Sequence, residues 1–213
     1  MADNYLERRQ EEVAAAQNRK KVVHSHTSLD SLLRKNRSYR GYAQERMVTR
    51  EELHTLVAAA TLAASGMNRQ VLRYRPVLQD EADQVLPLIR LGAALPEEHL
   101  PKPGLEPRAF LVVCSTVPED RIVDIDLGFA AQSILLKATE MGLGGIFIQN
   151  FRKQALQEAL NLPLTPIAVI AIGQPAESVY LVPARGSLAY YRKNGVHFVP
   201  KLSAEEILLS ADF

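Results

Sequence analysis

This sequence of 213 residues has one cysteine, almost no net charge and no long apolar run. The lone thiol, Cys114, excludes an internal disulfide and fits a reducing cytoplasm. It lies within Phe110-Leu111-Val112-Val113-Cys114, which reads as a buried strand rather than the setting of a nucleophile. The formal net charge of +1 gives none of the basic excess that nucleic-acid binding needs. No apolar run approaches the roughly 20 residues of a membrane span. Met1-Ala2-Asp3-Asn4-Tyr5 leads into a charged stretch, without the basic-then-apolar pattern of a signal peptide. There is no Gly-rich loop ending in Lys-Ser or Lys-Thr, so a Walker-type nucleotide site is not expected. His24 and His26 are close together, but no acidic or cysteine partner stands at ligand spacing, which argues against zinc. Ser115 and Ser133 lack a nucleophile-elbow setting.

What remains is an ordinary globular composition, with 47% hydrophobic and 23% charged residues, sized for one well-buried domain. Residues 4–22 read as a charged helix with a thin apolar stripe, in an N-terminal helical extension of residues 1–28; residues 29–213 form the domain proper. A short helix over 29–35 leads into a basic cluster. Thr49 with Glu52 is a capping box, and Leu53, Leu56, Val57, Ala60 and Ala64 follow at helical spacing. Ser65-Gly66 is expected to end that helix through a left-handed glycine. Strands are expected over 71–78, 109–115, 146–149 and 167–172, and helices over 80–89 and 152–160. A long helix capped by Asp124 or Asp126 runs to Met141 and is apolar on nearly every face, as a central buried helix would be. Gly142-Leu143-Gly144-Gly145 stops it. A dinucleotide loop needs strand then helix, and here the order is reversed. Pro96, Pro101, Pro103 and Pro107 mark a long loop over 91–107, of the kind that covers a site. Ser203 with Glu206 caps a last short helix. Strands interleaved with helices by uneven connections indicate a layered domain with a mixed sheet flanked by helices.

Two clusters carry chemistry. Asn36-Arg37-Ser38-Tyr39-Arg40 places two guanidinium groups around a hydroxyl, a set of donors that suits a dianionic phosphate. Alone, such a cluster is more often a solvated basic turn. Its companion, Ser65-Gly66-Met67-Asn68-Arg69-Gln70, offers the amides and hydroxyl that read a flat heterocycle. Together they indicate a nucleotide-like cofactor, and the lack of a nucleophile leaves the chemistry to that cofactor.

The first cluster, continued by Gly41-Tyr42, resembles the N-terminal signature of the FMN-dependent nitroreductase family. Ser65 to Gln70 resembles that family's second signature. Asp126-Leu127-Gly128-Phe129-Ala130-Ala131-Gln132, running into Met141-Gly142-Leu143-Gly144-Gly145, resembles its central helix and following turn. The resemblance covers most of residues 29–213, in order. It implies an α+β three-layer sandwich, with a mixed, mostly antiparallel sheet flanked by helices, in an intertwined homodimer with FMN at the interface. It implies that Arg37, Ser38 and Arg40 hold the FMN phosphate, joined by Arg192 or its neighbour Lys193. Ser65, Gly66, Asn68 and Gln70 would come from the other subunit. Ile148, Gln149 and Asn150 would pass beside the ring, with a backbone N–H toward its N5. The implied activity is NAD(P)H-dependent, ping-pong reduction of nitro compounds or quinone-like acceptors, with no protein acid or nucleophile. A flavin-dependent oxidase, a reductive dehalogenase, a flavin-storage or sensing protein and a cofactor-free interaction domain are the alternatives. The chain departs from the family's pattern at Asn36, where arginine is frequent, at Ala64 and Val71 in place of prolines, and at Gln149-Asn150 in place of acidic-Gly or Gly-Ser pairs.

Overall fold

The structure, a computed structural model, describes residues 27–92 and 100–209. The helix expected over 4–22 and the centre of the 91–107 loop lie outside these residues. The described chain runs α1 (Leu29–Lys35), α2 (Arg50–Ala60), β1 (Leu72–Val77), α3 (Gln79–Val85), β2 (Ala109–Ser115), α4 (Arg121–Glu140), β3 (Gly144–Ile148), α5 (Lys153–Ala159), β4 (Thr165–Gly173), β5 (Val179–Pro183), β6 (Tyr191–Lys193), β7 (Val196–Lys201) and α6 (Ala204–Ile207).

The main sheet has the order β1-β2-β4-β3 and is antiparallel throughout. Alternation along its two central strands divides the core. Leu111, Val113, Ala168, Ile170 and Ile172 face Leu53, Leu56, Leu127 and Ile134 of α2 and α4. Phe110, Val112, Cys114, Val169 and Ala171 face Val85 and Leu156 of α3 and α5. Successive strand side chains point to opposite faces, and both faces here are covered, so β2 and β4 are continuous apolar runs. The result is the three-layer α+β sandwich expected from the resemblance. Burial also pushes the Cys114 thiol up to about 11, which makes it inert at neutral pH.

A second sheet, of order β5-β7-β6, contains the parallel pairing, between β5 and β7. Residues 179–201 show no apolar run long enough to mark these short, half-exposed strands in the sequence. Tyr191 and Phe198 stack across β6 and β7 with ring centres 5.2 Å apart, so these aromatics pack within their own chain.

Three departures from expectation concern α4 and α2. First, α4 begins a turn earlier than Asp124. Asp120 caps it, its Oδ1 accepting the N–H groups of Ile122 and Val123, each at 2.8 Å. Second, α4 is not buried all round. Val123, Leu127, Ile134 and Ala138 face the core, while Ile125 and Phe129 are 46% and 52% exposed. Third, α2 stops at Ala60, and the left-handed residues beyond it are Met67, Asn68 and Gln70 rather than Gly66. Asp126 explains the third departure. Its buried carboxylate accepts the Ser65 hydroxyl and the Gly66 N–H, each at 2.8 Å, and Ser65 Oγ in turn accepts the Gln70 N–H at 2.9 Å. The turn is therefore shaped by α4, against which Gly66 fits because an added Cβ would lie 2.4 Å from Ile122 Cγ2, and not by a left-handed glycine.

The capping boxes at Thr49/Glu52 and Ser203/Glu206 are both formed. Gly142, with φ of +74°, ends α4, whereas Gly144 and Gly145 open β3. At Gly145 an added Cβ would lie 2.4 Å from the Ala171 carbonyl oxygen, so β3 meets β4 there only without a side chain. Asp126→Ala removes the two charge-assisted bonds that tie this partly exposed turn to a buried carboxylate. It is expected to cost about 2–3 kcal/mol, read as a shift in the chemical denaturation midpoint, with faster amide exchange at Gly66 and Gln70.

Candidate functional site

The basic cluster is built by its backbone. Residues 36–43 leave α1 and lie against the ends of β3 and β4. Ser38 bridges Gly145, the Tyr39 N–H donates to the Gly145 carbonyl at 3.1 Å, and the Ala43 N–H donates to the Gln174 carbonyl at 2.9 Å. The Tyr39 hydroxyl donates back to the Lys35 carbonyl and the Tyr42 hydroxyl to the Tyr39 carbonyl, both at 2.8 Å. This pinned segment sends Arg37, Ser38 and Arg40 to the lining of a cavity of about 260 Å³.

Lys201, His197 and Gln132 also line it, and no described carboxylate does. Arg40 lies over the Tyr190 ring, its Cζ 5.4 Å from the centre, and Tyr190 packs against His197 at 5.2 Å. Arg37 donates to the Leu33 carbonyl at 2.7 Å and Arg40 to the Ser38 carbonyl at 3.0 Å, which leaves Nε of each buried without a hydrogen-bond partner. Buried donors on charged groups are costly when unmatched, and an anion in this cavity would supply the missing acceptors. Burial holds the Arg37 guanidinium below its ordinary value, and nearby Tyr39 offsets this only in part. Sequence reading missed Lys201, His197 and Gln132. Alternation along β7, which puts residues 197, 199 and 201 on one face, is the signal that could have found the first two.

The second cluster lines another cavity, of about 330 Å³, where Ser65 and Gln70 meet Val57, Thr61, Tyr74 and Ala130. Gly66 and Asn68 stand behind it, Asn68 Oδ1 accepting from the Gln70 side-chain amide at 2.9 Å. Asp126 and Ala130 border this cavity, while Gln132 and Leu135 border the cationic one. One helix thus serves both, and a single chain does not bring the two clusters into one cavity. The exposed stripe of Ile122, Ile125 and Phe129 runs along that same helix, beside the Gly66 turn.

Ile148 ends β3 opposite Val169; Gln149 and Asn150 follow, both exposed, with the Asn150 carbonyl accepting the Arg90 N–H at 2.9 Å. These three line neither cavity. Arg192 lies on β6 in a nearly buried ion pair with Glu177. It borders a third cavity, of about 270 Å³, with Glu177 and Lys102, which Arg40 also borders from the other side. The described part of the proline-rich loop packs here as well, Leu105 accepting the Tyr42 N–H at 3.0 Å and lying against Gly41. Among the described residues no group of histidine, cysteine, aspartate or glutamate could hold a metal, and no helix is long and apolar enough to cross a membrane.

The sequence matches no curated protein. Among solved structures, a nitroreductase family protein from Clostridium difficile 630 is 25% identical, with a TM-score of 0.57 over 71% of this chain and 86% of that one. An FMN-dependent nitroreductase from Clostridium difficile R20291 is 22% identical, with a TM-score of 0.55 over 70% and 89%. A nitroreductase family protein from Streptococcus pneumoniae TIGR4 is 15% identical, with a TM-score of 0.63 over 86% of this chain and all of that one. Residues 33–174, which hold both clusters, α4 and the whole main sheet, match the model of the Nitroreductase family, and the chain belongs to that family.

Proposed function

We propose that this oxidoreductase binds FMN, draws reducing equivalents from NAD(P)H and reduces nitro compounds or quinone-like acceptors, working as a homodimer. One observation carries the reading: a cavity lined by Arg37, Arg40 and Lys201, free of described carboxylates, with two buried guanidinium nitrogens unmatched. These donors fit a phosphate monoester. Arg37, Ser38 and Arg40 hold that phosphate, and Lys201 adds a charge from β7. Arg192 supports Arg40 from behind, through Glu177. FMN held there would supply two-electron redox chemistry between the nicotinamide and the acceptor.

The protein's own part is to bind and orient. Guanidinium and ammonium groups fixed before the reaction stabilise negative charge without reorganising. Ser65, Gly66, Asn68 and Gln70 of a second copy complete the site, since within one chain Ser65 and Gln70 line a separate cavity with Gly66 and Asn68 behind it. The apolar stripe of Ile122, Ile125 and Phe129 is the surface over which the copies meet, because an exposed stripe of this kind on a central helix calls for a partner. Ile148, Gln149 and Asn150 offer backbone at the ring end. No side chain is assigned as acid, base or nucleophile.

The absorption spectrum of the purified protein, taken before and after anaerobic NADPH or NADH, tests the reading. Flavin bands that bleach are expected. Bands that persist with both nicotinamides would move the assignment to an oxidase, a dehalogenase-like enzyme or a flavin store, and the absence of flavin uptake would overturn it. Arg37→Ala is expected to weaken FMN binding by about 1.5–3 kcal/mol, the loss typical of a charge-assisted bond, in a fluorescence titration. Phe129→Glu places a charge in the proposed contact, so sedimentation should show the mass fall from twice the chain mass to one, with flavin released.

A further inference from the structure

Glu177 occupies a crossing of three pieces of chain. It lies just after β4, in a stretch sewn to the basic segment by the Ala43 N–H to the Gln174 carbonyl at 2.9 Å and the Ala176 N–H to the Gly41 carbonyl at 3.0 Å. The next residue, Ser178, accepts the His197 N–H of β7 at 2.9 Å. The two oxygens of Glu177 divide their work. Oε1 accepts the backbone N–H of Arg40, and Oε2 accepts the Arg192 guanidinium. Both charged side chains are nearly excluded from water, at 7% exposure for Glu177 and 11% for Arg192. The carboxylate borders the third cavity, not the cationic one. It therefore grips Arg40 from behind while the guanidinium of Arg40 reaches across Tyr190 into the cationic cavity.

We infer that Glu177 is the positioning residue of the anion site: it fixes the Arg40 backbone, and with it the guanidinium, while neutralising Arg192. The inference rests on the reading of that cavity as the phosphate end of a flavin site. An acidic group near an anion site would ordinarily weaken it. Here the charge of Glu177 is matched by Arg192, so what reaches the cavity is the orientation of Arg40 rather than a repulsive field. Preorganisation of this kind changes affinity by lowering the cost of ordering the donor on binding.

The consequence is selective for phosphate. Full-length wild type, Glu177→Ala and the double variant Glu177→Ala/Arg192→Met are titrated with FMN and with riboflavin, which lacks the phosphate, following flavin fluorescence. Glu177→Ala is expected to lose about tenfold to a hundredfold in FMN affinity, the scale of one charge-assisted bond, while riboflavin affinity changes by less than about threefold. The double variant removes both members of the Glu177–Arg192 pair, so neither is left buried without the other, which guards against misfolding. It too is expected to lose FMN selectively. In an Arg40→Met background the Glu177→Ala loss should largely vanish, because the side chain being positioned is gone. Equal losses for both flavins, or recovery of FMN affinity in the double variant, would overturn the positioning role. Wild type that binds FMN no better than riboflavin would overturn it while leaving flavin binding intact. Wild type that binds neither flavin would overturn both this inference and the cofactor reading.

Discussion

The seam between residues 38–43 and the ends of β3 and β4 is the constraint on which the site depends. It consists of main-chain hydrogen bonds, so it sets where the arginines stand with little regard to which side chains surround them. Gly145 makes the seam possible: the strand must approach Ala171 without a Cβ, and Ser38 and Tyr39 then pair with its free side. A buried main-chain group left unpaired is costly, which makes such a seam far more rigid than a surface turn of the same composition. The basic cluster reads as an ordinary solvated turn until that backing is seen.

Helix α4 is the second organising element, and it is used on two sides. One side fills the core between α2 and the sheet, through Leu127 and Ile134. The other leaves Ile125 and Phe129 in the open. Between these sides Asp126 shapes the Ser65–Gln70 turn and Gln132 borders the cationic cavity. A helix apolar all round is a reasonable sign of deep burial. Here the same composition belongs to a helix whose core side alone is covered by the described residues, Ile125 and Phe129 standing exposed on the other.

Much of this was legible in the sequence where local rules act without competition. The strands β2 and β4 are apolar runs because both faces are covered, and the capping boxes at Thr49 and Ser203 follow from side-chain reach alone. The start of α4 was not legible, because Asp120, Asp124 and Asp126 are all competent caps and tertiary packing chooses among them. The left-handed turn at Met67, Asn68 and Gln70 was hidden for a related reason: a carboxylate sixty residues away enforces what glycine would otherwise permit. The small sheet escaped notice since its strands are short and half exposed, and Lys201 and Gln132 join the cavity only through long-range contacts. Arg37, Ser38 and Arg40 were legible as a group and do line one cavity, but the company expected for them, Arg192 and the Ser65–Gln70 turn, borders other cavities of the chain.

The division of the two clusters between separate cavities has a consequence for mass action. Under the two-copy reading, a complete site exists only where two chains have met, so each ligand bound also reports an association. Occupancy then follows the concentration of paired chains rather than of chains, and ligand and partner stabilise one another through the same equilibrium. Dilution would act on such a protein as a chelator acts on a metalloprotein, emptying the site without touching a single residue in it.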